Sequence, residues 1–85
     1  MKNYIKNSAF EYIYNENDTI TIFNEDMTEI HSLDKVGKTI LELFSEAINT
    51  ESMQLKLSDI FFNINYDELN NFVSVLKEKK IIVEA

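Results

Sequence analysis

His31 is the only histidine of an 85-residue chain, and Glu29 stands two positions before it, so the two share a face if the segment is extended. An imidazole beside a carboxylate is the start of an acid-base pair or a metal site, and a metal would need further ligands. No second histidine and no cysteine is present to supply one. His31 therefore reads as a solvated strand histidine, and catalysis there is rejected. The lack of cysteine also removes thiol nucleophiles, disulfides and thiolate metal sites. A single glycine leaves no glycine-rich phosphate loop. The chain is read as a non-enzyme that calls for no cofactor.

Other groupings have plainer explanations. Phe10, Tyr12 and Tyr14 alternate along one segment and would make a stacking face, but aromatics in that pattern are more often core or cross-strand pairs. Glu25, Asp26 and Glu29 would draw a basic partner, with a solvated turn as the simpler reading. Phe61 and Phe62 are adjacent on an expected helix and cannot both face one core, so one of them is a candidate contact for a partner.

The net charge is -7, and all eight basic residues are lysine. An acidic surface without arginine is poorly suited to a polyanion, which argues against nucleic acid and for a peptide or protein partner, one of basic character if the charge is used. Residues 1–10 hold no continuous apolar run, and no other run is long enough to span a bilayer, so a cytoplasmic, soluble location with no membrane partner is expected. Eighty-five residues suffice for one domain with one modest core.

Period-two alternation predicts strands at Ala9 to Tyr14, Thr19 to Phe23 and Glu29 to Leu33, joined by polar turns at Asn15 to Asp18 and Asn24 to Thr28. These form a three-stranded antiparallel meander with Ile20 and Ile22 on one face. At Asp34, a natural N-cap, the period changes. Val36, Ile40, Leu43, Phe44 and Ala47 then follow helical spacing, with Lys38 and Glu42 four apart on the other face. Gly37, in the first turn, suggests close backbone packing against the sheet. A second helix is expected from near Thr50 or Ser52, carrying Met53, Leu57, Ile60, Phe61 and Ile64, with a shorter helix capped by Ser58 as the fallback. Asn65 caps a third helix, with Glu68 in capping-box position, Ile64 and Leu69 as a staple, and Leu69, Phe72, Val73 and Leu76 as its stripe. Lys77, Lys79 and Lys80 suit its C-terminal end, and Ile81 to Val83 is a short extended close. The fold class is α+β, of winged helix-turn-helix type: a three-stranded antiparallel sheet followed by three helices.

This order, with Leu33-Asp34 ending a strand, then Gly37, Ile40 and Leu43-Phe44, and later Phe72-Val73, Leu76 and Ile81-Ile82-Val83, resembles the PqqD family. Its members are recognition elements in pathways that make ribosomally synthesised, modified peptides. The resemblance covers about residues 10–84, most of one domain spanning 1–85. The chain departs from the family pattern at Lys79-Lys80, where glycine is more usual before the aliphatic ending, and in the shorter segment between Phe44 and Asn65.

The resemblance implies a binding module that captures the leader segment of a precursor peptide as an added strand on the third predicted strand. The captured peptide is then presented to a modifying enzyme such as a radical-SAM enzyme, cyclase, protease or dehydratase. It implies a ladder from Glu29, Ile30, His31, Ser32 and Leu33, and a groove-facing helix side of Glu68, Phe72, Val75 and Lys79. Val75 lies off the main stripe and is the helix residue expected to meet a peptide side chain. Glu68 and Lys79 would set register by pairing with leader charges. An edge strand here predicts that His31→Pro removes a rung of that ladder and spares the fold. A winged-helix DNA-binding regulator is one alternative, disfavoured by the mixed charge of Tyr66 to Lys80. An interaction protein pairing through the same edge is the other, so the chain is expected to be a monomer or weak homodimer.

Overall fold

The computed structural model describes residues 1–85. Nine elements follow in order: β1 (Tyr4–Lys6), β2 (Phe10–Tyr14), β3 (Ile20–Asn24), β4 (Ile30–Leu33), α1 (Lys35–Glu42), a 3-10 turn (Leu43–Ser45), α2 (Thr50–Ile60), α3 (Tyr66–Glu78) and β5 (Ile82–Glu84). The predicted meander is β2-β3-β4, with Tyr12 opposite Ile22 and Ile22 opposite His31. Ile20 and Ile22 are fully buried on its inner face. Turn chemistry closes it where asparagine and aspartate were expected to. Asp18 takes a left-handed φ of 65°, and the Asn24 side-chain oxygen accepts the Glu29 N–H at 2.9 Å.

A second sheet, β1-β5, was not foreseen. Tyr4 pairs with Glu84 and Lys6 with Ile82, joining the two ends of the chain, and Tyr4 also exchanges backbone bonds with Ile48. A three-residue strand has too little alternation to announce itself, and its partner lies at the opposite end of the sequence.

Asp34 caps α1 as predicted, its carboxylate accepting the Gly37 N–H at 2.8 Å. The helix stops at Glu42, and a 3-10 turn carries Leu43 and Phe44 inward. Ala47 therefore lies outside the helix and is exposed, and buried Ile48, which the periodicity did not single out, supplies the next core contact. Lys38 and Glu42 do not pair with each other. Lys38 reaches Asp18 at 2.9 Å and thereby holds the Asp18 carboxyl below its ordinary value, whereas Glu42 accepts from Tyr14 Oη and lies 3.8 Å from Lys6. α2 begins at Thr50 behind an Asn49 cap, and Ser58 sits inside it rather than capping a shorter helix. Met53 and Leu57 are buried as expected, but Ile60 is exposed.

Asn65 caps α3 by accepting the N–H groups of Asp67 and Glu68, at 3.1 and 3.2 Å. At its other end Ile81 N–H bonds Leu76 carbonyl at 2.9 Å and Lys80 N–H bonds Lys77 carbonyl at 3.1 Å, the paired bonds of a Schellman C-cap. Lys80 occupies its left-handed position, φ 60°. That is where the departure from the family's glycine falls. A β-carbon there is strained by roughly 1 kcal/mol, and the Asn7 amide, donating to the Lys80 carbonyl at 2.8 Å, helps hold the turn.

Two measurements check this frame. Lys80→Gly should raise stability by about 0.5–1 kcal/mol in urea unfolding, because it relieves the left-handed strain while keeping the N–H; a loss of stability would mean that the lysine side chain holds the cap. The Tyr12 phenol is pushed up to about 12 by burial, and the Tyr14 phenol to about 12 by its bond to Glu42. Both folded values lie above the ordinary 10.0, so their contribution is whole below pH 10 and is lost as pH rises toward about 12. A phenolate absorbance titration should show two late steps, one of them removed by Tyr12→Phe.

Candidate functional site

The ladder decides which backbone groups of β4 are free. Asn15 N–H bonds Thr19 carbonyl at 2.9 Å, and Asn24 N–H bonds Glu29 carbonyl at 3.3 Å. Alternation in antiparallel pairing then turns Thr19, Thr21 and Phe23 toward β2, and Ile20, Ile22 and Asn24 toward β4. On β4, Glu29, His31 and Leu33 spend their groups on β3. Ile30 and Ser32 turn theirs to the far side, where no strand lies, because β4 is the last strand of its sheet.

This corrects the expected ladder in one respect. His31 cannot be the residue whose N–H serves a newcomer, since that N–H points to Ile22. Its side chain is also not solvated: it shares the inner face with Ile22, lies partly buried with its ring 6.5 Å from that of Phe10, and encloses an Nε2 without a hydrogen-bond partner. No group of three or more His, Cys, Asp or Glu side chains is placed to hold a metal.

Beside the open end of β4 lies a cleft of about 670 Å³, within the range of small-ligand sites. β4 and the N-cap of α1 contribute Ser32, Leu33 and Asp34; α1 contributes Val36, Gly37 and Ile40. α2 and its exit contribute Leu57, Phe61 and Ile64, and α3 contributes Glu68, Leu69 and Phe72. Gly37 is the pivot of this wall. A β-carbon on it would stand 3.1 Å from Leu33 Cβ and 3.3 Å from Phe72 Cζ, so any larger residue would press strand and ring apart by a few tenths of an ångström. The close packing expected against the sheet is present, and α3 joins it.

A second, more polar hollow of about 440 Å³ lies at the start of β4, where Glu29 and Asn24 meet Phe10, Asn7, Glu78, Lys79 and Lys80. The two hollows show that α3 runs roughly opposite to β4. Its N-terminal end accompanies Leu33, and its C-terminal end accompanies Glu29.

Six of the anticipated residues divide between these two hollows, which share no lining residue. Ser32, Leu33, Glu68 and Phe72 share the apolar cleft; Glu29 and Lys79 share the polar hollow. Val75 borders neither and is 42% exposed one turn from both Phe72 and Lys79. Ile30 is 59% exposed and lies, with Ser32, on the outer face of the sheet. Sequence reasoning missed the contributions of α1 and α2. Val36 was placed on the apolar face of the first helix, and it is 49% exposed at the cleft. The Phe61-Phe62 pair gave the one usable signal: Phe61 is half-buried in the cleft wall and Phe62 is 100% exposed.

No family model matches the chain, and no curated protein matches it. Among solved structures, the chain is similar to TbiB1 in complex with the TbiA(beta) leader peptide, with a TM-score of 0.75 and 17% identity over 92% of this chain and 93% of that one. The likeness is one of fold: an α+β domain with a three-stranded antiparallel sheet followed by three helices. No helix is long and apolar enough to cross a membrane.

The ladder makes a paired prediction. Ser32→Pro removes an N–H that bonds nothing in the protein and should cost no more than about 1–2 kcal/mol, whereas His31→Pro breaks the β3–β4 ladder and should cost about 3 kcal/mol or more. Thermal unfolding of the two variants separates them; equal losses would mean that the register is shifted by one residue.

Proposed function

We propose that this chain is a single PqqD-like peptide-recognition domain. It binds the leader segment of a ribosomally synthesised precursor peptide as a strand added to β4 and presents it to a modifying enzyme of the radical-SAM, cyclase, protease or dehydratase kind. The observation that carries this reading is the conjunction of an unpaired β4 edge with a cleft whose opposite wall is α3. Strand addition draws affinity from main-chain bonds and specificity from pockets for alternate side chains, and this trough offers both. The ladder falls to Ile30 and Ser32, with Glu29, His31 and Leu33 as the strand that carries them. The wall falls to Glu68, Phe72, Val75 and Lys79. The leader-bound TbiB1 structure supports the reading, because a chain of similar fold is there seen with a leader peptide. The acidic surface and the missing arginines set it above a DNA-binding role.

Calorimetric titration with leader peptides from short precursor genes neighbouring this one tests the proposal. One peptide should bind per chain, any edge-paired dimer should dissociate as it does so, and amide shifts should concentrate at Ile30 and Ser32. Ser32→Pro should weaken binding about tenfold, the loss of one main-chain hydrogen bond of about 1.4 kcal/mol. Binding of full strength in Ser32→Pro would place the peptide elsewhere and defeat the reading.

A further inference from the structure

Resting on strand addition at β4, we propose that the cleft selects a segment in which a bulky apolar side chain is accompanied, two residues away, by a lysine or arginine. The apolar half of this specificity comes from the cleft floor. Leu57, Leu69 and Ile40 are buried beneath it, and Phe61 and Phe72 present partly covered rings at its sides. A side chain entering there leaves water for a preformed apolar surface.

The basic half comes from the rim. Only two charged residues border the cleft, Asp34 and Glu68, and both are carboxylates. Neither takes part in any of the four ion pairs of the protein. One Asp34 oxygen is engaged by the Gly37 N–H, while the Glu68 side chain is exposed and has no hydrogen-bond partner. Asp34 is the N-cap of α1 and Glu68 stands in the first turn of α3, so both carboxylates sit at helix N-termini. A net charge of -7 adds an attractive field for a cation approaching this end. The polar hollow at the other end mixes Glu29 and Glu78 with Lys79 and Lys80 and makes no comparable choice of sign.

The spacing follows from geometry. Side chains on one face of an added strand recur every second residue, about 6.6–6.8 Å apart. Phe72 and Glu68 lie four residues apart on α3, a rise of about 6 Å. A strand whose apolar side chain meets Phe72 therefore brings its next same-face side chain level with Glu68, while the intervening one points to the outer face.

Selection from a random-peptide display library on the immobilised full chain tests this. Wild-type protein should enrich an apolar residue with lysine or arginine two positions away, and the order of the pair gives the direction of the added strand. Peptides so selected should bind Glu68→Gln about threefold and Glu68→Lys about tenfold more weakly, with the difference shrinking in high salt. A repeat selection on Glu68→Lys should replace the basic residue by an acidic one. Enriched peptides that depend on Ser32 but carry no basic residue at that spacing would overturn the inference and leave strand addition standing. Failure to enrich, or enrichment indifferent to Ser32→Pro, would overturn both.

Discussion

Hydrogen bonds in β4 are satisfied on one side only, and the rest of the chain is arranged so that this stays true. The strand that precedes the meander, β1, does not join it. It is committed elsewhere, to β5 along Tyr4–Lys6 and to Ile48 through Tyr4. Cation–π contact between Lys77 and the Tyr4 ring, 4.2 Å from Nζ to the centroid, and the salt bridge between Lys2 and Glu84 tie the same corner. Joining its own ends in a separate two-stranded sheet lets so small a domain fix its termini without spending the edge of the three-stranded one.

The cleft beside that edge is walled by β4, α1, α2 and α3 together. Leu33, Gly37 and Phe72 meet at its wall, where a β-carbon on the glycine would stand 3.1 Å from Leu33 Cβ and 3.3 Å from the Phe72 ring. Leu69, Val73 and Leu76 anchor α3 to the core, which leaves Glu68, Phe72, Val75 and Lys79 along its flank. Helix and strand run in opposite senses, so the wall changes character along its length, apolar with carboxylates at one end and mixed in charge at the other. A groove with unlike ends can distinguish the direction and register of an extended chain, which main-chain bonds alone cannot do.

Much of this was legible in the residues because it depends on local signals. Period-two alternation placed β2, β3 and β4; Asp34 and Asn65 marked helix starts, and Asn15 to Asp18 and Asn24 to Thr28 marked turns. What failed was non-local. β1 is defined by a partner more than seventy residues away, and after α1 the chain turns through a 3-10 segment to a bridge between Ile48 and the distant Tyr4. His31 misled because Glu29, two positions before it on the same face, argued for solvent, while its inward orientation depends on the register with Ile22. That same register, invisible until β3 and β4 are aligned, moved the free ladder groups from His31 to Ile30 and Ser32. Val36 obeyed the helical period yet opened onto the cleft, since periodicity gives an angle around the helix and says nothing of what stands opposite.

An open edge is a hazard as well as an opportunity, because it is a template for aggregation. Here the exposure is limited in ways that preserve its use. β4 has only four residues, and it is bracketed by Glu29 and Asp34, whose charges oppose a second copy lined up in antiparallel register. The outward-facing Ile30 and Ser32 offer two residues' worth of bonding, too little to stabilise a sheet contact unless side chains add to it. A foreign strand that fills the cleft gains that addition. A random edge, or another β4 whose own carboxylates would meet Glu68, does not. Under the proposed strand addition, the shortness and the charge that protect this edge would also make binding depend on the cleft, with the main chain supplying the docking geometry and the side chains deciding the partner.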